Sequence, residues 1–432
     1  MKLFNVFNSK QIRVAAVGGL TIKFLSAFFA LLNGVMLARM LSIEDFGMYV
    51  LAFTTINIIA VPISLGFPTL IMRYIPKYIV SNDMASIKGL LIKTNSYIFF
   101  AHVIAFLLII AAYYIWWNRF PESTITTFWY AFSLMPFLVF GSLRAAALRG
   151  LKLIILGELP ETLLRNFILS VALLVYFFFK FELTPERAML LHLVAGIMAF
   201  LSGYVFLKRK LLNQLRNIKP SYHRKEWVKQ AIPYSVTQLV SILKKKSITY
   251  ILVIFGSLEA VALFDVAMRG ATLVSFTLSA LNNAVSPFIS AAFTQNNIKS
   301  VQKIVTKSNR IIFVFALPVA LVFIIGGEPL ISWVFGEAYA LAYIPLAILC
   351  ISQLVNALAG SAGPVLNMTG NQSYLSRNQI YMMILSLALS IPLVIYYDVL
   401  GGAIAFSLVL VVQNILLVWF IKKRLNVNMT IF

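Results

Sequence analysis

Apolar runs of about twenty residues or more recur along the whole chain, and short polar segments separate them. A helical run of this length spans the hydrocarbon core of a bilayer. The two-residue alternation typical of membrane-barrel strands is not seen in the sequence. The pattern predicts an all-α polytopic membrane protein of about twelve transmembrane helices. The predicted spans are 14–38, 46–71, 89–116, 124–147, 160–180, 187–207, 230–255, 260–292, 308–327, 339–360, 378–397 and 400–421.

The composition excludes an ordinary soluble protein. Hydrophobic residues make up 61% of the 432 residues and charged residues only 12%, whereas soluble domains are about a quarter charged. The bilayer must therefore solvate much of the apolar surface. The one cysteine, Cys350, lies in an apolar run, so no intrachain disulfide can form. No zinc-ligand pattern, phosphate-binding glycine loop or catalytic grouping is visible in the sequence, which predicts a protein that is not an enzyme and has no metal or cofactor.

Positive charge is distributed unevenly among the predicted loops. The chain has 36 Lys and Arg residues against 14 Asp and Glu residues, a formal net charge of +22. Most of the basic residues fall in alternate loops, on the side of both termini, and most of the acids fall in the other loops. The positive-inside rule therefore predicts that both termini are cytoplasmic, and the charge indicates orientation rather than nucleic-acid binding.

One connector, residues 208–229, is longer than the others and divides six predicted spans from six; it is called the linker below. We expect an N-terminal six-helix lobe over 1–207 and a C-terminal six-helix lobe over 230–432. The basic residues of the linker favour a solvated topogenic segment over a binding site for anionic lipid headgroups.

The two halves of the chain resemble each other. LARMLSIEDFGMYVLA at 37–52 matches LVIFGSLEAVALFDVA at 252–267, and SIKGLLIKTNSYIFF at 86–100 matches SVQKIVTKSNRIIFV at 300–314. Six spans per half is an even number, so the two copies share one orientation. Such parallel repeats usually enclose a central cavity that opens alternately to each side of the membrane.

The first predicted helix carries a lysine on its small, polar face. Lys23, Ser26 and Asn33 share a stripe about 120° wide with alanine and glycine residues, and bulky residues fill the remaining sides. A charge inside a span is costly and by default faces a cavity or a partner. Close helix packing also explains a small stripe, but it does not explain Lys23, so a cavity-facing stripe is favoured.

Three successive lysines, Lys244, Lys245 and Lys246, lie near the middle of the seventh predicted span. Lys245 falls on the polar stripe of that helix, and the other two flank it. No acidic residue lies nearby in sequence, so the cluster predicts a binding site for an anion.

The eighth predicted span carries Asp265 and Arg269 one helical turn apart. Two interpretations are equally open: a local ion pair that neutralises both charges, or a coupling-ion site at Asp265 beside a substrate-binding Arg269. Glu161 and Arg165 have the same spacing in the fifth span, and there a local structural pair is favoured. His192, in the sixth span, is expected to be a packing residue rather than a proton relay.

Four segments resemble motifs of one transporter family in their order and spacing. They are LARMLSIEDFGMY at 37–49, SLGFPTLIMRYI at 64–75, ALRGLK at 147–152 and SPFIS at 286–290. On these segments the chain resembles, over essentially its whole length, the O-antigen-type polysaccharide flippases of the multidrug/oligosaccharidyl-lipid/polysaccharide exporter (MOP) superfamily.

The resemblance implies two six-helix lobes in a V-shaped arrangement, like that of MATE transporters, around a cationic cavity. It also implies transport of an undecaprenyl-diphosphate-linked oligosaccharide repeat unit to the periplasmic leaflet by alternating access, coupled to protons or sodium ions. Relatives often carry an acidic residue in the middle of the seventh helix, where this chain has Lys244–Lys246. This departure puts in doubt any coupling role transferred from that position.

A diphosphate headgroup cannot cross hydrocarbon bare, because the desolvation of its charge is prohibitive. Lysine and arginine side chains in a water-filled cavity supply charge-assisted hydrogen bonds to such a group. We expect Lys23, Lys245 and Arg269 to be the headgroup ligands. Arg39 and Arg73 lie nearer the two mouths, where they either steer or gate the substrate or anchor their helices at the membrane surface.

Three other functions remain open at this point. A peptidoglycan-precursor flippase of the same superfamily usually has further helices after the twelfth. A drug or cation antiporter needs buried acids, and only Asp265 opposes the buried lysines. A scaffold or polymerase component of a polysaccharide pathway is the non-transport alternative, but a polymerase should have large outer loops. The expected partners are the lipid-linked oligosaccharide, membrane lipids, a coupling ion and other polysaccharide-assembly proteins, including a polymerase.

Overall fold

Two compact helical units make up the protein. The computed structural model describes residues 9–116, 121–295 and 297–429, and no β-strand occurs among them. One unit comprises Met1–Leu41 and Ala52–Leu239, and the other comprises Ser42–Leu51 and Val240–Phe432. The earlier division into lobes 1–207 and 230–432, joined by the linker, stays a prediction.

The helices of the first part of the chain are α1 (Ser9–Met40), α2 (Ile43–Ser64), α3 (Phe67–Val80), α4 (Met84–Trp116), α5 (Glu122–Gly150), α6 (Ile154–Glu158), α7 (Arg165–Phe178), α8 (Pro185–Leu207), α9 (Asn213–Leu215) and α10 (Arg224–Phe255). In the described residues, the first unit contains α1, all but the first turns of α2, the helices α3 to α9 and the first part of α10. Two π-helical turns, Leu159–Leu164 and Lys208–Leu212, continue α6 into α7 and α8 into α9.

The second unit begins with the first turns of α2 and resumes in the second part of α10. Its remaining helices are α11 (Leu258–Thr294), α12 (Ile298–Phe335), a 3₁₀-helix (Glu337–Ala342), α13 (Tyr343–Ala359), α14 (Ala362–Met368) and α15 (Gln372–Leu425). Non-helical backbone at Gly326 kinks α12, and non-helical backbone at Asp398 divides α15 into two arms.

Ten helices in the described part of the chain are long and apolar enough to cross a membrane. Each arm of α15, 372–397 and 399–425, is by itself long enough for a bilayer. The 32 residues of α10 are also sufficient in length, although its lysines lower its hydropathy. The prediction of an all-α polytopic protein is confirmed, and the chain is a multi-pass membrane protein.

The distribution of side chains between the inside and the surface is that of a protein in lipid. On α4, Phe100, Leu107 and Leu108 are exposed, whereas on α5 the small residues Ala146 and Ala147 are fully buried. Small residues let helix backbones approach closely, and the bilayer solvates the large apolar side chains that face outward.

The predicted span 46–71 is wrong as one continuous helix, because α2 ends at Ser64 and α3 begins at Phe67. Leu65 and Gly66 both have positive φ, of 48° and 68°. A Cβ atom at Gly66 would lie 2.5 Å from the carbonyl oxygen of Ala231 on α10. The break therefore lets α10 pack directly against the backbone between α2 and α3.

The helices that begin the two repeated segments start in the same way. The Ser42 hydroxyl accepts a hydrogen bond from the Asp45 N–H at 3.1 Å at the start of α2. The Ser257 hydroxyl accepts from the Ala260 N–H at 3.0 Å at the start of α11. Both are N-cap bonds, and they lie at corresponding positions of the sequence repeat.

Candidate functional site

A continuous polar surface runs along α11 in the second unit. One face of the helix holds polar side chains at intervals of three or four residues: Asp265, Arg269, Thr272, Ser275, Ser279, Asn282, Ser286 and Ser290. Residues at this spacing share a helix face, and the stretch covers about 37 Å at 1.5 Å per residue. This length exceeds the hydrocarbon core of a bilayer, about 30 Å.

The second unit buries the face of α11 beside the polar one. Val274, Leu278 and Ile289 are buried there, and α11 packs against α12, α13 and α14. On the polar face, Thr272 and Ser279 are exposed. A polar helix face of this length is unfavourable against hydrocarbon, so it indicates a boundary with water inside the membrane.

The hydroxyl groups of this face are arranged to accept hydrogen bonds from a ligand or from water. The Thr272 hydroxyl donates to the backbone carbonyl of Met268 at 2.7 Å, and the Ser279 hydroxyl donates to the backbone carbonyl of Ser275 at 3.4 Å. Each hydroxyl thereby uses its proton within the helix, and its oxygen lone pairs stay available. Of this face, Asp265 and Arg269 were singled out from the sequence. The hydroxyl and amide residues that follow them share the same side of a helical projection of residues 265–290.

Asp265 and Arg269 form an ion pair at the start of this face. The Arg269 Nε–H donates to Asp265 Oδ2 at 2.7 Å, and both side chains are largely buried, with exposed fractions of 25% and 19%. The structure thus forms the local pair that was one of the two interpretations. A coupling role for Asp265 stays a prediction.

The lysine cluster lies on α10, within the part of that helix that belongs to the second unit. The Lys244 ammonium donates to the side-chain oxygen of Gln413 on α15. Lys246 is half-buried, and the side chain of Lys245 lies outside the described part of the structure. No local pattern in the sequence identifies Lys244 as the partner of Gln413.

The small stripe of α1 is a packing surface. The Ser26 hydroxyl donates to the Thr162 carbonyl at 2.7 Å, and the Asn33 amide donates to the Asn166 carbonyl at 3.0 Å. These bonds join α1 to the π-helical turn and α7. Close helix packing therefore explains why Ser26 and Asn33 lie on this face, because their side chains bond to the backbone of neighbouring helices. Lys23 is exposed, and its cavity role stays a prediction.

Arg39 and Arg73 are both exposed, in the last turn of α1 and in the middle of α3. Arg73 Nη1 donates to the Tyr234 hydroxyl of α10 at 2.9 Å. Sequence reasoning missed Tyr234, since its partner is distant in the chain. Of the predicted site residues, the structure joins Asp265 to Arg269, while the others lie on α1, α3 and α10.

The first unit contains a buried ion pair between Glu161 and Arg144, a partner that the sequence did not predict. Glu161 was expected to pair with Arg165, but its carboxylate binds the guanidinium of Arg144 on α5. Arg144 is 4% exposed and Glu161 15%. A Cβ atom at Gly203 would overlap the Arg144 guanidinium, and one at Gly141 would overlap the Glu161 carboxylate. The two glycines therefore create the space for this pair, which helical spacing alone could not reveal.

Two further residues have the structural roles expected of them. His192 is buried and its ring stacks on Phe53, with the ring centroids 4.7 Å apart. Cys350 is a buried free thiol.

Comparisons with known proteins agree with this architecture. A family model described as "Polysaccharide biosynthesis protein" matches residues 19–293. No curated protein matches the sequence significantly. Similar solved structures include a multidrug resistance MATE family transporter of the MOP superfamily in an inward-facing conformation, with a TM-score of 0.77 and 17% identity over 95% of this chain and 98% of that chain.

Two other solved structures have the same fold. An outward-facing MATE family transporter of the MOP superfamily gives a TM-score of 0.66 at 16% identity, covering 96% of each chain. A MOP superfamily transporter from Pyrococcus furiosus, described by the reverse polarity of its binding pocket, gives 0.63 at 15% identity, covering 96% of this chain and 95% of that one. The family model covers more than half of the sequence, and the solved structures show the fold that this chain shares with them. The chain therefore belongs to the polysaccharide biosynthesis protein family.

Proposed function

We propose that this protein is a flippase that moves an undecaprenyl-diphosphate-linked oligosaccharide from the cytoplasmic to the periplasmic leaflet by alternating access. The observation that carries the proposal is the polar face of α11, whose eight polar residues cover about 37 Å of the helix and include the exposed Thr272 and Ser279. An oligosaccharide presents hydroxyl groups all along its length. Serine, threonine and asparagine side chains exchange hydrogen bonds with such groups as water does.

The charges of the candidate spans favour an anionic headgroup. Lys23, Lys244 and Lys246 are basic residues placed within predicted spans, and Arg269 stands at one end of the polar face. Asp265 is already paired with Arg269. Within the second unit, a diphosphate therefore has Lys244, Lys246 and Arg269 as candidate cationic partners, whereas a cationic drug finds Asp265 neutralised. This is the reason to prefer a lipid-linked sugar over a drug antiporter.

The Asp265–Arg269 pair also supplies a route to ion coupling. A diphosphate that binds Arg269 competes with Asp265 for the same guanidinium. The released carboxylate then takes up a proton or a sodium ion, because a lone charge is costly in this largely buried setting. Substrate and coupling ion would thus exchange at one ion pair.

The proposal places the protein in a bacterial inner membrane with both termini cytoplasmic, as the distribution of basic residues suggests. Its partners would be the lipid-linked oligosaccharide, membrane lipids and the proteins that assemble O-antigen or a related polysaccharide, including a polymerase. A peptidoglycan precursor is the competing lipid-linked substrate.

Complementation of an O-antigen flippase-null strain tests this function. The wild-type gene is expected to restore surface polysaccharide, Lys245→Arg to retain it, Lys245→Ala to weaken it and Lys245→Glu to abolish it. Lys303→Glu makes the same charge change at an exposed position of α12 and serves as the matched control. Full activity of both Lys245→Ala and Lys245→Glu would remove the lysine cluster from the mechanism. Rescue of a peptidoglycan-precursor flippase mutant alone would identify the competing substrate.

A further inference from the structure

The linker is fixed to the first unit through its backbone. The Ser221 N–H donates to the Ala85 carbonyl at 3.0 Å, and the Lys88 ammonium donates to the Arg216 carbonyl at 3.0 Å. A Cβ atom at Gly89 would overlap the carbonyl oxygen of Ser221. The linker thus lies directly on the first turns of α4, and its role as a solvated topogenic segment stays a prediction.

Apolar side chains anchor the same segment. Leu211 and Leu215 are 2% and 3% exposed, and Trp227, just after the start of α10, is 1% exposed. The indole N–H of Trp227 donates to the Tyr78 hydroxyl at 2.9 Å. Burial of these side chains gives the linker one inner face and one outer face.

The outer face is strongly basic. All the lysine and arginine residues of the linker are exposed: Lys208, Arg209, Lys210, Arg216, Lys219, Arg224, Lys225 and Lys229. Because the backbone near Arg216 and Ser221 is bonded to α4, these charges belong to a segment with a fixed position rather than to a mobile loop.

The acidic residues near this surface are already engaged. Glu226, the one acid of the linker, accepts a hydrogen bond from Tyr74 at 2.7 Å and lies 3.9 Å from the Lys77 ammonium. Burial and the bond to Glu226 raise the pKa of Tyr74 to about 12. Asp83 accepts a hydrogen bond from the Ser86 N–H at 2.9 Å. Eight basic residues against one acid leave the linker with a large excess of positive charge.

The linker begins at a membrane surface. The 23 residues of α8 suffice to cross a bilayer, and Lys208 follows its last residue directly. Clusters of basic residues immediately beyond a transmembrane helix attract anionic headgroups, with about a fivefold gain in binding per cation near the surface.

We propose that the outer face of the linker binds the headgroups of anionic phospholipids, represented by phosphatidylglycerol, at the membrane surface where α8 ends. Separate cations spread over a fixed surface match several singly charged headgroups side by side. A lone diphosphate would instead require cations that converge on one point. This interaction does not depend on the transported substrate.

Native mass spectrometry of the purified full-length protein tests the proposal with two probes, phosphatidylglycerol and phosphatidylcholine. The wild-type protein is expected to retain phosphatidylglycerol in preference. Lys208→Gln/Arg209→Gln/Lys210→Gln is expected to lower that preference at least about tenfold, and Lys208→Arg/Arg209→Lys/Lys210→Arg to preserve it. The matched control is Lys422→Gln/Lys423→Gln/Arg424→Gln, which removes the same charge from three exposed basic residues at the end of α15 and is expected to lower the preference less, because the linker offers eight such cations.

Equal retention of the two lipids by the wild type would overturn the proposal. An equal loss in the linker and control variants would do the same, because it would reduce the effect to net charge. A third probe, undecaprenyl diphosphate, separates the substrate headgroup from the phospholipid. If the linker variant loses undecaprenyl diphosphate but keeps phosphatidylglycerol, the surface binds substrate and the proposal is wrong. These outcomes leave the proposed flippase activity untouched, since that activity is read from complementation.

Discussion

Asp83 and Asn297 cap two corresponding helices in the same way. Each side-chain oxygen accepts a hydrogen bond at 2.9 Å from the backbone N–H of a serine three residues later, at the start of α4 and of α12. Those serines, Ser86 and Ser300, begin the second pair of repeated segments. The internal repeat is therefore expressed in individual hydrogen bonds as well as in the order of helices.

The two caps give a matched pair of stability predictions. Asp83→Ala and Asn297→Ala each remove one N-cap bond and are expected to destabilise the protein by about 1 kcal/mol at pH 7. The measurement is denaturant or thermal unfolding of the purified protein in detergent, compared with the wild type. No loss of stability in either variant would contradict the assignment of these caps.

Only the Asp83 cap should respond to acid. Hydrogen bonds from the Ser86 hydroxyl and N–H lower the pKa of Asp83. The stabilisation of the folded protein by the ionised carboxylate is therefore fully present above the ordinary aspartate pKa of about 4. It is lost as the pH falls through the lowered pKa. The destabilisation caused by Asp83→Ala should therefore shrink in acid, while that caused by Asn297→Ala stays constant. Parallel pH profiles for the two variants would contradict this reasoning.

The buried pair of Arg144 and Glu161 predicts a large single-mutant effect with partial compensation. Arg144→Met leaves the Glu161 carboxylate buried without this partner and is expected to destabilise the first unit by about 3–5 kcal/mol. Arg144→Met/Glu161→Leu removes both charges and should recover a substantial part of the loss. Thermal unfolding and the yield of monodisperse protein measure both variants. Additive effects of the two substitutions would show that the pair is not coupled.

The close approach of Gly89 to Ser221 predicts release of the linker on substitution. Gly89→Ala places a Cβ atom against the Ser221 carbonyl and should displace the linker from α4. Limited trypsin digestion should then cut after Arg216 at least about tenfold faster than in the wild type. Gly363→Ala is the control, because no heavy atom lies within 4 Å of a Cβ built there. Unchanged digestion of the Gly89 variant would contradict the fixed position of the linker.

The bond between Lys244 and Gln413 predicts a functional effect of charge at position 413. Gln413→Glu would pair with Lys244 and withhold its charge from an anionic headgroup, so flipping is expected to fall on the order of tenfold. Gln413→Met removes the hydrogen bond but keeps the charge, and its activity should stay within about threefold of the wild type. Initial rates in reconstituted vesicles measure both. Equal rates for the Glu and Met variants would exclude Lys244 from headgroup binding.

The elements of the fold were predictable from sequence because apolar run length and the position of basic loops depend on the bilayer alone. The separation of α2 from α3 was not, since it depends on positive φ at Leu65 and Gly66 and on the approach of Ala231 from a distant helix. Helical periodicity identified the Asp265–Arg269 pair, which lies within one helix.

Contacts between distant segments could not be predicted from the sequence, because they depend on how separate helices pack. The partners of Lys244, Arg73 and Glu161 come from other helices, and no local pattern identifies them. On α1, Ser26 and Asn33 share the predicted helical face, but they bond to the backbone of the π-helical turn and α7. Helical periodicity could also have predicted the polar face of α11, because its serine, threonine and asparagine residues follow Asp265 and Arg269 at intervals of three or four residues.

Translocation in reconstituted vesicles tests the central claim most directly. The protein would be inserted into vesicles that contain an undecaprenyl-diphosphate-linked oligosaccharide, and the fraction of sugar accessible to an external glycosidase would be followed over time. The account predicts rapid exchange of this lipid between leaflets by the wild type and at least about tenfold slower exchange by Lys246→Glu, which reverses a charge on the proposed path. Leaflet exchange no faster than in protein-free vesicles, together with uptake of a cationic dye by the same preparation, would contradict it.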